Sequence, residues 1–516
     1  MRFQRTAALL GLVVLWLALG PWVLLVALGL LFVARVRDWL RPTRRVGGIL
    51  VAVAVALTGL VLVIPDGWLP LPPGPGALVT PGYVGRPAVA RPVAAPTAAG
   101  QAGLGASAPW AGPLGESPRV DTAWYGLGQC AGLAFDGHGR LVGLCGGKSP
   151  VLRVIHPDSM RSLVGKDLPD RPDGDGTEAW EELCGRASYL DDEDRAVVAT
   201  TDRRVLVVAT DDAEGDPDLT TAASHDLSGQ VPADDCLVAL RPDGRGGHWF
   251  ASRHGRVGTI DAGTGRVTVL GLGEDVANAL AVDGDGVYVV TTEALYRLGR
   301  DARGPTVRWR APYDRGSERK PGQLSQGSGT PPTPVAGGLV AITDNANPTM
   351  HVAFHRRSDG GLVCQTGVFE DDESATESSL VAVGGGVVVE NNHGYSGPVS
   401  TMLGRTTDAG LARVDVVGGK CVVRWTSDQA APSAGPRLSL ANGLLYAYTK
   451  RHSWWGANAW YLTALDVRTG RSVFSVRTGL GSLLDGHYGE VAISPDGSAY
   501  VATLGGLVRI RDRDQG

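Results

Sequence analysis

The chain has no excess of basic residues: 48 Lys and Arg stand against 53 Asp and Glu, for a net charge of -5. Nucleic acid is therefore not an expected partner, because phosphate backbones are held by concentrated positive charge. Cysteine is scarce, six in 516 residues, and no two cysteines form a C-x-x-C, which removes the spacing of a structural zinc site. Beyond Asp121 no sustained helical period occurs, which argues against a helical domain there.

Long apolar runs are confined to the start of the chain: Thr6 to Ala34, interrupted by Pro21, and Gly47 to Ile64. A helix needs about 20 predominantly apolar residues to cross a bilayer. Both runs therefore predict transmembrane helices, the first tilted, kinked at Pro21 or folded into a short hairpin. A cleaved signal peptide is the alternative, disfavoured because the first run is too long and a second follows it. Between the runs, "RVRDWLRPTRR" sets Arg35, Arg37, Arg41, Arg44 and Arg45 against Asp38 alone, and the positive-inside rule keeps it cytoplasmic. Trp39 and Trp68 flank the second run as interfacial anchors would. The expected order is an N-terminal segment with the first transmembrane helix (1–34), a basic cytoplasmic loop (35–46) and a second transmembrane helix (47–64). A Pro/Ala/Gly-rich linker (65–120) and an extracytoplasmic domain (121–516) follow, tethered at the cell membrane. The linker, as in "LPLPPGPGALVTPGYVGRPAVARPVAAP", favours extended polyproline II and predicts a spacer.

All six cysteines, Cys130, Cys145, Cys184, Cys236, Cys364 and Cys421, lie beyond the linker, on the side where this topology permits oxidation. Cys130 and Cys145 are equidistant from the "DGHG" turn, so a hairpin there sets them opposite one another, as a hydrogen-bonded pair if the loop has two residues. Elimination favours Cys184 with Cys236 and Cys364 with Cys421; free buried thiols stay open.

Short β-rich runs alternate with turn signals after Asp121: "GLAFDGHGRLVGLC", "LRPDGRGGHWFAS", "LAVDGDGVYVVTT", "VAVGGGVVVENN", "LSLANGLLYAYTK" and "AISPDGSAYVATL". Each is a hairpin signature, and recurrence every ~40 to 55 residues in a β-only chain points to propeller blades. The expected fold is an all-β, eight-bladed β-propeller, with seven blades as the alternative because 170–230 is poorly patterned. The last unit supplies three strands, and "TAWYG" from Thr122 offers the fourth. In "LTALDVRTGRSVF", "VGTIDAGTGRVTVL" and "LARVDVVGGKCVVRW" an Asp caps the turn and a Gly tolerates positive φ. Through Ala464, Asp466 and Gly470 the first copy resembles the repeat of quinoprotein-type (PQQ-like) propellers. It departs at Phe474, where that family has a docking tryptophan; the other copies have Val269 and Val423 there. "VANALAVDGDGVYVV" is similar to the inner-strand signature of lactonase and gluconolactonase propellers, which implies Asn278 as a calcium ligand.

In a propeller the loops between second and third strands and the blade-to-blade connections share one face. That face is expected to gather Asp344, Asn345 and Asn347 from one blade with Glu390, Asn391, Asn392 and His393 from the next. Arg451, Trp454, His487 and Tyr488 join them from later loops. Candidate general bases are His393 and His487; candidate ligand-binding residues are Asn345, Asn347, Asn391, Asn392, Arg451, Trp454 and Tyr488. Asn278, Asp344 and Glu390 are candidate ligands for Ca2+, a cation that takes six to eight oxygens in flexible geometry. Three functions follow: a membrane-tethered binding or scaffold module for an envelope protein or small molecule, a calcium-assisted lactone or ester hydrolase, and a quinone-dependent dehydrogenase. The last ranks lowest: the chain has no adjacent cysteine pair and lacks the docking tryptophans, so PQQ is not expected.

Overall fold

Apolar strands pair with their sequence neighbours, and the Asp turns between them close as the pattern requires. Asp136 Oδ1 accepts the backbone N–H groups of His138 at 3.0 Å and Arg140 at 2.8 Å. Asp243 Oδ1 does the same for Arg245 and Gly247, both at 2.8 Å. The computed structural model describes residues 2–40, 48–49, 51–53, 55–56, 59, 63–96, 106–171, 183–284 and 286–513. It contains eight sheets, each with a blade of antiparallel neighbours; two of them carry in addition a short parallel strand at the inner edge. Blade 1 spans 130–167, blade 2 188–226, blade 3 237–271, blade 4 281–312, blade 5 333–367, blade 6 381–427, blade 7 437–480 and blade 8 489–512. Eight blades, not seven, form the ring; the poorly patterned region supplies blade 2, whose first strand, Ser188–Leu190, has three residues. Pro118–Trp124 completes blade 8 by pairing with Gly506–Asp512, Thr122 opposite Val508. The closing strand read from "TAWYG" therefore exists and begins at Pro118. The core lies between blades: Val388 and Trp425 of blade 6, for example, pack with Leu438, Leu445 and Leu465 of blade 7.

Cys130–Cys145, Cys184–Cys236 and Cys364–Cys421 are all disulfides. One detail differs from expectation. Gly146 N–H donates to Gln129 O at 2.9 Å, the flanking bond of a non-hydrogen-bonded pair, and the two Cα atoms are 3.8 Å apart. A bulge between Ala131 and Ala134 changes the parity of the hairpin.

No tryptophan stands at 474, 269 or 423, but two tryptophans elsewhere bridge neighbouring blades. Trp309 of blade 4 donates Nε1–H to Arg357 O at 3.0 Å, and Trp425 of blade 6 donates to Val467 O at 3.0 Å. Each ring lies flat on a glycine of the next blade. A Cβ on Gly360 would come within 2.6 Å of Trp309, and one on Gly470 within 2.4 Å of Trp425. Both glycines have positive φ, 74° and 69°, so close approach and backbone conformation demand glycine together.

The Pro-rich segment is not a spacer. Leu71, Ala88, Ala106 and Ala108 are buried against the propeller, Tyr83–Gly85 adds an antiparallel strand to the outer edge of blade 7, and Ser107–Ala108 pairs parallel with its innermost strand. Proline removes donors but leaves carbonyls. Arg468 donates to Arg91 O and Pro92 O, and Arg477 to Ala77 O and Thr80 O. Trp68, read as a membrane anchor, lies beneath the Arg161 guanidinium at 4.0 Å. Residues 97–105 of this segment lie outside the described residues.

The first apolar run is broken by Gly20 and Pro21 into α1 (Arg2–Leu19) and α2 (Trp22–Leu31), followed by α3 (Ala34–Leu40). The Arg5 guanidinium lies 5.7 Å from the Trp39 ring, so the start of α1 and the end of α3 are adjacent and the helices fold back as a hairpin. Among the described residues no helix is long and apolar enough to cross a membrane, which departs from the two expected transmembrane helices. The physical cause for the first is the break at Gly20, whose φ is 107°. The second run, 47–64, and the arginines at 41, 44 and 45 lie partly or wholly outside the described residues.

Candidate functional site

Because strands alternate in direction, the loops between second and third strands and the blade connections emerge on one face, the mouth face. The polar clusters are on it. In blade 5 the loop 344–350 carries Asp344, Asn345 and Asn347; in blade 6 the loop 391–410 carries Asn391, Asn392 and His393. Glu390 ends the second strand of blade 6, Gly386–Glu390, and the connection 481–488 carries Asp485, His487 and Tyr488.

A long connection between blades 4 and 5, residues 313–332, lies across this mouth. Lys320 Nζ donates to Ala346 O at 2.6 Å, Gly394 N–H to Pro321 O at 3.2 Å, Leu324 N–H to Glu377 Oε2 at 3.0 Å, and Tyr488 Oη to Gly322 O at 3.3 Å. It thereby touches blades 5, 6 and 8. Sequence reasoning missed this cover, although a loop of that length without regular structure is itself a signal of a functional element.

The predicted carboxamides hold the cover and its neighbours in place. Asn345 Nδ2 donates to Arg315 O and Glu318 O at 3.0 and 2.9 Å, and Asn347 Nδ2 to Ser317 Oγ at 3.2 Å. Asn391 accepts from Ala375 N–H at 3.1 Å and donates to Glu373 O at 2.7 Å. Asn392 accepts from Glu377 N–H at 2.8 Å and donates to Glu390 Oε1 at 3.0 Å. Loop backbone buried at the mouth must have partners, and these side chains supply them.

Beneath the cover lies a second network that the sequence did not reveal. Tyr395 Oη donates to Asp485 Oδ1 at 2.8 Å and lies 2.9 Å from His487 Nδ1; Thr401 Oγ1 donates to Asp485 Oδ2 at 2.9 Å. His487 is buried, with the Tyr395 and Tyr488 rings 6.0 and 5.1 Å away. His393 is nearer the surface and is oriented by Asp408, whose Oδ2 is 2.6 Å from Nδ1. Arg451 stacks on the Tyr461 ring at 4.8 Å, and Trp454 stands out at the rim with His452 beside it. Neither reaches the Asn391 cluster.

Burial dominates the electrostatics. It pushes the Glu377 carboxyl up to about 8 and the Glu390 carboxyl well above the usual carboxylate range, with the Asn392 hydrogen bond pulling Glu390 back. Asp485 is raised by the same cause, against hydrogen bonds from its own loop and from Tyr395. Lys450 is lowered to about 8 by burial, opposed by the Asp485 charge; its ammonium donates to Arg405 O and lies 5.8 Å from the Trp460 ring. Burial thus favours the uncharged form of both Glu377 and Glu390.

The three candidate calcium ligands have separate commitments. Asn278 Nδ2 donates to Ser328 O at 2.8 Å. Asp344 accepts from the backbone N–H groups of His351 and Ala346, and its Oδ2 lies 2.8 Å from His351 Nδ1. Glu390 is bound to Asn392 as above. A shared cation needs oxygens with free lone pairs converging on one point, and among the described residues no group of three or more His, Cys, Asp or Glu side chains is so placed. Each of the three is tied into a hydrogen-bond network of its own.

No family model matches this chain. An uncharacterized protein of Archaeoglobus fulgidus is 28% identical over 304 residues, which cover 51% of this chain and 59% of that protein. Among solved structures, streptogramin B lyase has a TM-score of 0.40 and 9% identity, over 75% of this chain and 94% of that one. U3-55K has a TM-score of 0.41 and 11% identity, over 71% of this chain and 100% of that one. The propeller assignment rests on the sheet order above.

Proposed function

We propose that the chain is a membrane-attached β-propeller that presents its mouth face, on the extracytoplasmic side, as a binding or scaffold module for an envelope protein or a small ligand. The observation that carries this reading is the helical hairpin. Every residue of α2, "WVLLVALGLL", is apolar and none is buried, and Leu10, Val14 and Val26 are likewise exposed on α1 and α2. A helix apolar on all sides belongs in a core or in lipid, and among the described residues no protein core covers this one. Arg5 lies at the open end of the hairpin beside Trp39 of α3, a helix that also carries Arg35 and Arg37, which suits the cytoplasmic side. Its bend meets the Pro-rich segment, where Gly76 N–H donates to Leu17 O at 2.8 Å and Leu78 N–H to Ala18 O at 3.0 Å, and the propeller, where Trp22 Nε1–H donates to Trp454 O at 2.9 Å. Three disulfides suit an oxidising compartment.

Calcium-assisted hydrolysis is the weaker reading, because the acids it would use are either committed to N–H donors or biased by burial toward the uncharged form. The experiment has two parts. Alkaline carbonate washing of membranes should leave the full chain in the pellet, and purification in mild detergent should return a stoichiometric protein or small molecule that is lost when His393 and Asp408 are both replaced by Ala. Release by carbonate would refute the attachment; repeated recovery of the bare chain would refute the binding role.

A further inference from the structure

Two adjoining mouth-face loops end in an apolar wedge. Val399, Met402 and Leu403 lie in the 391–410 loop of blade 6, and Trp454 and Trp455 in the 451–458 loop of blade 7. Val399 is 68%, Leu403 63% and Trp454 86% exposed. Single exposed apolar residues are ordinary, but five on neighbouring loops form a patch of the kind that marks an interaction surface.

The wedge is built rather than loose. Gly404 N–H donates to Asn458 Oδ1 at 2.8 Å and Ser453 N–H to Gly404 O at 2.8 Å. A Cβ on Gly404 would meet Ser453 O at 2.1 Å, so the two loops are in direct backbone contact. Arg405 donates to Val399 O and Met402 O, which fixes a guanidinium against the wedge, and Arg451 flanks the other loop.

Its neighbour identifies the occupant. Trp22 Nε1–H at the start of α2 donates to Trp454 O at 2.9 Å, and Pro21 packs where a Cβ on Gly456 would lie within 3.4 Å of it. The exposed apolar surface of the hairpin therefore runs without interruption into the wedge. Tryptophan at the border, apolar side chains beyond it and arginine beside it match the chemistry of the boundary between headgroups and acyl chains. A soluble partner or a second copy would not require that continuity.

We propose that Val399, Met402, Leu403, Trp454 and Trp455 seat in the membrane interface, so that the propeller's mouth face is turned toward the bilayer. The inference rests on the membrane reading of the hairpin and adds an orientation to it. A ligand reaching the mouth then comes from the membrane surface or from the narrow space above it.

The test uses the full chain in liposomes. The described residues contain no free cysteine, so Leu403→Cys and Trp454→Cys each introduce a site for a fluorescent label. Val26→Cys on α2 serves as the lipid control and Leu362→Cys, at the start of the strand Leu362–Gly367 beside a turn on the opposite face, as the water control. A nitroxide carried on the lipid headgroup region should quench labels at 403 and 454 several-fold more than at 362. If position 26 is quenched and 403 and 454 behave like 362, the orientation is wrong while the attachment stands. If 403 and 454 are shielded only as protein density rises, the occupant is a second copy and the proposal falls. If 26 also behaves like 362, both fall together.

Discussion

Replacing Glu390 by Gln tests whether the mouth of this propeller is held by uncharged acids. Glu390 is 2% exposed; Oε1 accepts from Asn392 Nδ2 at 3.0 Å, and Oε2 has no bonding partner among the described residues. Burial raises its folded value well above the ordinary 4.5. Below 4.5 the acid is neutral in both the folded and unfolded chain, and its contribution to stability is fully present. As pH rises from there to the folded value, the unfolded chain releases a proton that the folded one keeps. Stability from this group then falls by about 1.4 kcal/mol per pH unit until the folded value is reached. Glutamine keeps the acceptor for Asn392 and does not ionise, but where the neutral acid has one O–H donor it places two N–H donors, and the additional one costs about 1 to 3 kcal/mol. The variant is therefore expected to be the less stable protein near pH 5 and to gain on the native chain by about 1.4 kcal/mol for each unit above that. Urea unfolding of the full chain in detergent at four pH values measures the difference. Glu377 and Asp485, unchanged in both proteins, cancel. A difference that does not vary with pH would refute the argument, since it would mean that Glu390 is already ionised when folded.

Trp425→Ala should lower stability by about 3 to 5 kcal/mol, the usual cost of emptying a buried aromatic site, with a corresponding drop in melting temperature; an unchanged melt would mean that the ring on Gly470 does not couple blades 6 and 7. Converting both Cys364 and Cys421 to Ser opens a closed loop with a sequence separation of 57, and the chain-entropy argument gives a loss of at most about 4 kcal/mol, read from denaturant midpoints in non-reducing buffer. Lys450 has its folded value lowered to about 8 from 10.5, so its burial cost is complete below pH 8 and is relieved as pH rises to 10.5. Native stability should climb across that window, and Lys450→Met should abolish the climb.

The sequence made the scaffold legible because its signals are local. An Asp two residues before the N–H it accepts, a glycine at positive φ and an apolar alternation either side are sufficient to place Asp136, Asp243 and Gly470, and Thr122 followed from counting three strands where four were needed. What stayed hidden depends on non-local geometry. The bulge at Ala131 to Ala134 inverted the parity expected for Cys130 and Cys145. Trp425 stands two positions beyond Val423, and the register shift between Arg413 and Val414 turns the two to opposite faces of the strand, so a fixed spacing could not find it. The proline-rich segment reads as a spacer because its composition forms no core of its own; that it lies on another element's edge depends on Arg468 and Arg477, nearly 400 residues away.

The candidate site shows the same division with a functional consequence. Residue type placed Asn345, Asn391 and Asn392 at the mouth, but an amide that binds a ligand and one that satisfies a loop carry identical donors and acceptors. Only the positions of Ala375, Glu373 and Arg315 distinguish the two, and they assign these asparagines to the loops. With those side chains committed, and with Glu377 and Glu390 buried and biased toward their uncharged forms, the polar groups described at the centre of the mouth serve to hold its loops. The free chemistry of this face lies at its edge instead, in the His393 and Asp408 pair and in the apolar wedge beside it. Recognition at that edge would be governed by surface complementarity and by proximity to the membrane, and so would weaken when Leu403 or Trp454 is made polar even though neither touches the channel.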